Sequence, residues 1–281
     1  MKKYPTIKEY GIPCKHETYV IAEIGLNHNG DMTVAKQLID AAIEAGVDAV
    51  KFQTYQTEKR TPKGSPIFDI LKKCELTHKN FLELADYSTK KGVQFFSTPF
   101  DVESLDYLCK NNTSLLKIAS FDLLNKEFLR KIAEKKKTVI LSVGMSNILE
   151  IQEAVQILTS KGGKVCLLHC VSAYPTPENE ANLLAIRNLE ETFEGFVIGQ
   201  SDHTNDILVP LYAVALGARI IEKHFKLDEA MECVDAPVSI TKNQMEKLVK
   251  EIRRLEQILG SGELAVSASQ EGCVQYRRKS Q

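Results

Sequence analysis

The sequence predicts an α/β fold, and within that class a (β/α)8 TIM barrel. Eight short apolar runs alternate with longer amphipathic segments from residue 19 to about residue 260. The runs are apolar enough to be buried on both faces, as the strands of a parallel sheet are. Eight strand–helix units within this length match the size of a (β/α)8 barrel. A doubly wound sheet is the main competitor, but no G-x-G-x-x-G motif follows the first run.

The predicted strands are rich in β-branched or apolar residues, and each one precedes a helical pattern. They occupy residues 19–24, 49–55, 93–98, 115–120, 138–143, 165–170, 196–201 and 219–224. In the helical patterns, such as residues 32–46 and 147–163, apolar residues recur at intervals of three and four. Gly46 and Gly162 stand where the C-terminal caps of these two helices are expected.

Segments at both ends of the chain and one internal loop lie outside the repeat. Residues 1–18 are predicted to form an N-terminal cap or hairpin that closes the bottom of the barrel, which spans residues 19–260. Residues 261–281 have weak apolar periodicity and a basic end, so a flexible tail or linker is expected. The connection Thr57–Thr77 is long for a βα loop, and long loops at a barrel's catalytic rim often act as substrate lids.

Composition and charge exclude several classes of partner. Lysine and arginine number 36 against 37 aspartates and glutamates, so the net charge of −1 does not favour nucleic acid or an acidic membrane surface. No apolar run approaches the roughly 18 residues of a membrane helix, and the N-terminus has no apolar core of signal-peptide length. The seven cysteines form no C-x-x-C pair. These features predict a cytoplasmic protein with reduced thiols.

Charged side chains follow the apolar strands at the ends where a barrel places its active site. Glu23 ends strand 1, and a carboxylate at this rim can serve as general acid or base. Lys51 and Gln53 alternate on strand 2, so both point to the same side of it. A lysine inside a barrel is costly unless it meets an anion, and Lys117 on strand 4 adds a second cation. The two lysines predict a strongly anionic ligand, with an internal ion pair between Lys51 and Glu23 as the alternative.

His203 and His224 end strands 7 and 8, which are neighbours in a barrel. Two imidazoles from adjoining strands can share one divalent cation, with ligand oxygens and water in the remaining positions. Such an open site favours a catalytic over a structural metal. By spacing alone, acid–base roles or core positions for these histidines stay open. His169, within strand 6, is equally consistent with a core histidine and with a ligand contact.

Eight strings, taken in order, resemble those of the sialic acid synthase family, which comprises N-acetylneuraminate synthases and their legionaminate and pseudaminate relatives. They are IAEIGLNHNGD, AVKFQTY, FFSTPFD, LKIAS, VGMSN, LLHCVSAYPTP, IGQSDHT and ALGARIIEKHF. The resemblance implies a (β/α)8 barrel that condenses phosphoenolpyruvate with an N-acylated hexosamine such as N-acetylmannosamine. The products would be a nine-carbon 2-keto sugar acid and phosphate. It also implies a homodimer and a divalent metal, commonly manganese, with magnesium or cobalt as alternatives.

The resemblance carries roles onto individual residues. It assigns His203 and His224 to the metal, and catalytic roles to Glu23, Asp122 and His224. Lys51, Thr98, Ser120 and Ser201 match phosphoenolpyruvate-binding positions with Gln53 beside them, and Glu23, Tyr174 and Asp235 match positions that hold or act on the sugar; Lys117 and Ser172 complete the predicted substrate-binding set. In the implied reaction the metal polarises the open-chain aldehyde. Carbon C3 of phosphoenolpyruvate attacks it, and water captures the cationic C2 before phosphate departs.

Departures from the family pattern affect these expectations. Where Gly-Ser-Gly-Glu is common after strand 4, residues 119–122 read Ala-Ser-Phe-Asp, so the acid is one methylene shorter. Ser172 stands where asparagine is usual, which removes one amide donor. Family members usually continue into an antifreeze-like domain that supplies an arginine to a partner's sugar site. This chain stops near the point where that domain would begin, and weak sugar binding is therefore expected.

Two other functions stay open on the sequence. A related synthase of another 3-deoxy-keto sugar acid would accept a phosphorylated aldose. Lys59, Arg60 and Lys63 of the Thr57–Thr77 loop are candidates for the extra phosphate site that such a substrate needs. A degenerate barrel that binds a sugar or scaffolds a pathway is the non-enzymatic alternative, and the retained histidines, Lys51 and Glu23 argue against it.

Overall fold

The computed structural model describes residues 5–111 and 113–278, and it places eight parallel strands in a closed barrel. Each strand pairs with the next in the chain, and the last pairs with the first. The strands are β1 Tyr19–Gly25, β2 Ala49–Thr54, β3 Gln94–Pro99, β4 Leu115–Ile118, β5 Thr138–Ser142, β6 Lys164–Cys170, β7 Val197–Asp202 and β8 Ile220–His224. The predicted (β/α)8 barrel and all eight predicted strands are confirmed.

Alternation along each strand separates an interior layer from an outer one. In β1, Val20, Ala22 and Ile24 face the surrounding helices and belong to the main hydrophobic core. Tyr19 and Ile21 point into the barrel, where they belong to a second core. Because side chains repeat every two residues, the next inward position is Glu23. The interior therefore changes from apolar to charged towards the C-terminal ends of the strands.

Helices cover the outside of the barrel and follow the strands as the apolar periodicity predicts. They are α1 Met32–Glu44, α2 Thr57–Arg60, α3 Phe68–Cys74, α4 His78–Lys91, α5 Val102–Lys110, α6 Lys126–Glu134, α7 Ile148–Thr159, α8 Leu184–Thr192, α9 Leu208–Ala215 and α10 Lys242–Leu259. Asp31 and Asp101 cap the N-termini of α1 and α5 through their side chains. Asn147 begins α7 with a capping box.

The N-terminal segment closes the bottom of the barrel. A 3-10 helix, Ile7–Tyr10, is followed by Ile12 and Cys14, and these apolar side chains join the interior core. No strand lies between residues 5 and 18, so the segment is a cap rather than a hairpin. Arg253 of α10 holds this end by an ion pair with Asp48 (2.7 Å) and by donating to the Thr18 carbonyl (2.6 Å).

The Thr57–Thr77 connection contains two short helices, α2 and α3, where the sequence suggested one long loop. The Tyr55 hydroxyl donates to the Leu71 carbonyl (2.8 Å), and Glu75 accepts from the backbone and side chain of Thr57. These bonds fold the segment back onto the barrel rim. At the other end of the chain, residues 261–278 are exposed and include a 3-10 helix, Ala268–Tyr276. Across the described ranges, the helices are too short or too polar to span a membrane.

Candidate active site

A cavity opens at the C-terminal ends of the barrel strands. It is lined by every predicted site residue except Asp122, namely Glu23, Lys51, Gln53, Thr98, Lys117, Ser120, Ser172, Tyr174, Ser201, His203, His224 and Asp235. Parallel strands bring their C-terminal ends to one rim, which is why residues distant in the sequence meet here. Their mutual contacts decide what the cavity can bind.

Lys51 is buried between two carboxylates. Its Nζ lies 3.0 Å from Glu23 Oε2 and 3.5 Å from Glu222 Oε2, and it donates to Thr98 Oγ1 at 3.1 Å. The ion pair with Glu23, which was the alternative interpretation of the sequence, is therefore present. Lys51 is not an unpaired cation in the absence of a ligand. Burial opposes the ammonium charge, but Glu222 and Glu23 raise the pKa of Lys51.

Lys117 shares Glu222 with Lys51. Its Nζ lies 3.4 Å from Glu222 Oε1 and donates to Ser142 Oγ at 2.8 Å, while Ser201 Oγ donates to Glu222 Oε1 at 2.9 Å. Burial alone would raise the pKa of Glu222, but the two lysines lower it to about 2. Burial lowers the pKa of Lys117, which has one carboxylate partner where Lys51 has two. Adding an anion beside Lys117 would stabilise its charge.

The β4–β5 side of the cavity, defined here as Lys117, Ser120, Ser142 and Gly144, offers close backbone approach. The Gly144 N–H donates to Ser120 Oγ at 2.9 Å. A Cβ on Gly144 would lie 2.6 Å from Ser172 Oγ, so only glycine fits between these side chains. A cation, hydroxyls and bare backbone together form a surface suited to an oxyanion.

The β1–β2 side of the cavity, defined here as Glu23, Gln53 and Asp235, converges on Gly25. A Cβ there would lie 3.0 Å from Glu23 Oε1, 3.3 Å from Gln53 Nε2 and 3.3 Å from Asp235 Oδ2. Gln53 also donates to Glu23 Oε1 at 3.2 Å. Burial raises the pKa of Glu23 despite the neighbouring Lys51. This side presents carboxylate and amide oxygens, which suit hydroxyl groups of a ligand.

His203 and His224 face each other with ring centroids 5.4 Å apart. The Nδ1 of His203 lies 2.8 Å from the Val171 carbonyl, which fits a proton on Nδ1 that is donated to this oxygen. The other ring nitrogen, Nε2, then has a lone pair available to bind a metal ion. Burial and the nearby His224 lower the pKa of His203 to about 3, which keeps it neutral. The ring of Tyr174 lies 4.0 Å from that of His203, and this tyrosine is half exposed at the cavity mouth.

The histidine pair fits an open metal site rather than a closed one. The buried Nδ1 of His224 lacks a hydrogen-bond partner among the described residues and lies 3.4 Å from Asp235 Oδ2. Residues 5–111 and 113–278 contain no group of three or more His, Cys, Asp and Glu side chains arranged to hold a metal ion. Two imidazoles with substrate or water oxygens remain a chemically suitable ligand set, so the metal stays a prediction.

Two sequence candidates lie outside this cavity. Asp122 belongs to the 3-10 helix Ser120–Asp122 but does not line the cavity, and burial raises its pKa. The shorter acid noted in the sequence therefore lies outside the cavity, although its charge interacts with that of Arg60. His169 binds the Ala181 carbonyl through Nε2 (2.8 Å) and lines a neighbouring cavity, which makes it a hydrogen-bonded core histidine.

Arg60 and Glu222 are cavity residues that the sequence prediction did not assign to this site. Glu222 was visible as an inward position of β8, but alternation does not reveal that two lysines meet it. Arg60 ends α2 and also lines the cavity. Of the three basic residues proposed for an extra phosphate site, Lys59 pairs with Glu103 at the surface and Lys63 is exposed.

The barrel and its charged rim cavity define a TIM-barrel enzyme of the type whose catalytic groups come from several strand ends. The chain belongs to the NeuB family, whose model matches residues 38–264. It is 39% identical over 281 aligned residues to an N,N'-diacetyllegionaminic acid synthase of Campylobacter jejuni, covering 94% of this chain and 84% of that protein. It is 45% identical over 264 residues to an uncharacterized protein of Methanocaldococcus jannaschii, covering 94% of this chain and 78% of that one.

Solved structures give the same picture. The N-acetylneuraminic acid (sialic acid) synthetase of Leptospira borgpetersenii, crystallised with citrate, superposes with a TM-score of 0.90 at 42% identity. The match covers 93% of this chain and 92% of that one. A truncated 3-deoxy-D-arabino-heptulosonate 7-phosphate synthase of Thermotoga maritima has a TM-score of 0.68 at 17% identity, covering 86% of this chain and 88% of that one, and shares the fold.

Proposed function

We propose that this protein condenses phosphoenolpyruvate with an N-acylated hexosamine to give a nine-carbon 2-keto sugar acid and phosphate. The observation that carries the proposal is the division of one cavity into a cationic β4–β5 side and an acidic β1–β2 side, with a histidine pair at the rim. The relatives named as legionaminic acid and sialic acid synthases support the same reaction class.

Phosphoenolpyruvate would bind to the cationic side. Lys117 has a lowered pKa and one shared carboxylate, so an incoming phosphate or carboxylate would complete its ion pairing. The backbone at Gly144 and the hydroxyls of Ser120 and Ser172 can approach the same oxygens. Lys51, already paired with two carboxylates, would lie between bound phosphoenolpyruvate and the acidic side.

The acceptor would bind against Glu23, Gln53 and Asp235. A divalent cation, for which we expect manganese, would be held by His203 and His224 and would act as a Lewis acid towards the acceptor's aldehyde. Holding both substrates side by side in one cavity converts their encounter into a reaction between fixed neighbours.

The chain's own carboxylates would manage the charge and protons of the reaction. Carbon C3 of phosphoenolpyruvate bonds to the aldehyde carbon, and the aldehyde oxygen takes up a proton to become a hydroxyl. Positive charge then develops at C2, where Glu23 and Glu222 can stabilise it. Water adds to C2 and loses a proton, for which Glu23 is the candidate base. The bond between C2 and the phosphate oxygen then breaks, the proton of the C2 hydroxyl passes to the leaving phosphate, and the ketone remains.

A synthase acting on a phosphorylated aldose is the competing function, and the contacts favour it less. It needs a second cluster of basic residues for the acceptor's phosphate. Lys59 and Lys63 do not line the cavity, and the acidic β1–β2 side would repel an anionic group. Likeness to the heptulosonate synthase is a likeness of fold and adds nothing to this alternative.

A phosphate-release assay tests the proposal. The purified protein is given phosphoenolpyruvate and manganese with N-acetylmannosamine, its phosphate ester, a diacetamido hexose or a phosphorylated aldose. We expect phosphate release with an uncharged N-acyl hexosamine, together with a nine-carbon product by mass spectrometry. Release only with the phosphorylated aldose would establish the competing function, and no release with any acceptor would refute both.

A further inference from the structure

Arg60 brings a guanidinium group into the cavity from a loop helix rather than from a barrel strand. Its guanidinium carbon lies 3.7 Å from the ring centroid of Phe100 and 4.6 Å from that of Tyr55. Stacking on an aromatic face fixes the plane of the group and leaves its edges available. The guanidinium group is therefore held in place before any ligand binds.

The hydrogen bonding of Arg60 is far from complete. Nη1 donates to Gln53 Oε1 at 2.9 Å, and this is its one hydrogen bond to the described residues. A guanidinium has five N–H donors, so most of them remain for a ligand or solvent at the cavity mouth. A half-buried cation with a fixed orientation and unused N–H donors is well suited to bind a ligand.

Arg60 lies on the β1–β2 side of the cavity. Gln53, which it contacts, also donates to Glu23, and both residues converge with Asp235 at Gly25. The cationic side is assembled elsewhere, around Lys117, Ser142 and Gly144. Arg60 would therefore contact the acceptor rather than phosphoenolpyruvate.

We propose that Arg60 binds the acceptor through hydroxyl or acyl carbonyl oxygens and restricts the reaction to uncharged N-acyl sugars. This inference rests on the proposed function and names the residue that selects the substrate. Burial lowers the pKa of Arg60, and the nearby carboxylates of Asp235, Asp122 and Glu23 offset this effect in part. A phosphorylated acceptor here would meet these carboxylates, including the two that converge at Gly25, against the single cation Arg60, so repulsion would outweigh attraction.

The test compares Arg60→Ala and Arg60→Lys with the intact protein, and Lys59→Ala serves as the matched control. Lys59 precedes Arg60 on α2 and pairs with Glu103 at the surface. We expect Arg60→Ala to raise KM and the calorimetric Kd for N-acetylmannosamine about tenfold or more, the usual effect of losing a charge-assisted hydrogen bond. The KM for phosphoenolpyruvate should stay within about twofold. Arg60→Lys should fall in between because it lacks the planar fork, and Lys59→Ala should match the intact protein.

Thermal melting of each variant checks that the fold is kept. If Arg60→Ala does not fold, the comparison is made with Arg60→Lys instead. A rise in the phosphoenolpyruvate KM alone, unchanged constants for both substrates, or tighter binding of the sugar's phosphate ester than of the free sugar would each overturn the inference. Sugar binding that depends on Arg60 without phosphate release would overturn the proposed reaction and leave this inference standing. Absence of sugar binding by the intact protein would overturn it even if phosphate were released.

Discussion

Lys51 shows how a single buried residue can serve both folding and binding. It compensates the charges of Glu23 and Glu222 at the centre of the barrel, where an unpaired carboxylate would be strongly unfavourable. The same ammonium lies in the cavity that we assign to phosphoenolpyruvate. Its removal should therefore affect the stability of the protein as well as its affinity for substrate.

Replacing Lys51 with methionine should produce both effects. The KM for phosphoenolpyruvate is expected to rise about tenfold or more through loss of a charge-assisted contact. The free energy of unfolding should fall by about 3 kcal/mol because two buried carboxylates lose a partner. Steady-state kinetics and urea unfolding measure the two effects separately. Lys36→Met, which alters an exposed pair with Glu83, should change neither, and an unchanged KM in Lys51→Met would remove Lys51 from the substrate site.

The histidine pair gives a prediction that does not depend on turnover. Calorimetric titration with Mn²⁺ should show binding to the intact protein and its loss in His224→Ala, because one imidazole alone is a weak ligand set. His78→Ala removes an exposed histidine that stacks on Tyr107, and it should leave the titration unchanged. Equal Mn²⁺ affinity in the His224→Ala and intact proteins would contradict the assignment.

At the scale of elements, the end of β5 limits the size of the cationic side. A Cβ on Gly144 would approach Ser172 Oγ to 2.6 Å and the Cys170 carbonyl to 2.9 Å. Gly144→Ala should therefore raise the KM for phosphoenolpyruvate, while acceptor binding measured by calorimetry changes little. Gly272→Ala adds a methyl group in open space in the C-terminal segment and is the matched control. A larger effect on the acceptor than on phosphoenolpyruvate would place the two substrates the other way round.

The elements themselves were predictable because their signals are local and periodic. Burial on both faces marks β1 to β8, and inward alternation places Glu23, Lys51 and Gln53 correctly on the cavity side. The partners of Lys51 were not predictable, because alternation gives the direction of a side chain and not its neighbour on the next strand. Arg60 escaped assignment to this cavity because α2 is four residues long and has no periodicity to orient it.

The whole molecule separates stability from chemistry along the barrel axis. The lower interior is filled by apolar side chains and closed by Ile7, Ile12 and Cys14. The upper interior holds two lysines and two glutamates, with Asp235 nearby, in a space where each charge depends on its neighbours. Such a network stabilises the fold only while every member stays ionised. The pH dependence of stability should therefore report on the active site.

Glu222 is the member whose titration should be visible. Its pKa in the folded protein is about 2, against about 4.3 in an unfolded chain. A lowered folded pKa means that the stabilisation is complete above the unfolded value and is lost as pH falls towards the folded one. This contribution should be present at neutral pH and should disappear as pH falls from about 4.5 towards about 2.

Glu222→Gln tests this contribution by removing the charge while keeping the shape of the side chain. The variant should melt at a lower temperature at neutral pH, because Lys51 and Lys117 lose their shared carboxylate. The difference in Tm between the variant and the intact protein should then narrow as the pH is lowered through the window where Glu222 accepts a proton. Glu246→Gln, at an exposed position on α10, should instead give a curve parallel to that of the intact protein. If the curves of Glu222→Gln and the intact protein also stay parallel down to the acid limit of folding, the ionised Glu222 does not stabilise the lysine pair. The charged cavity would then have to be held together by the surrounding barrel alone.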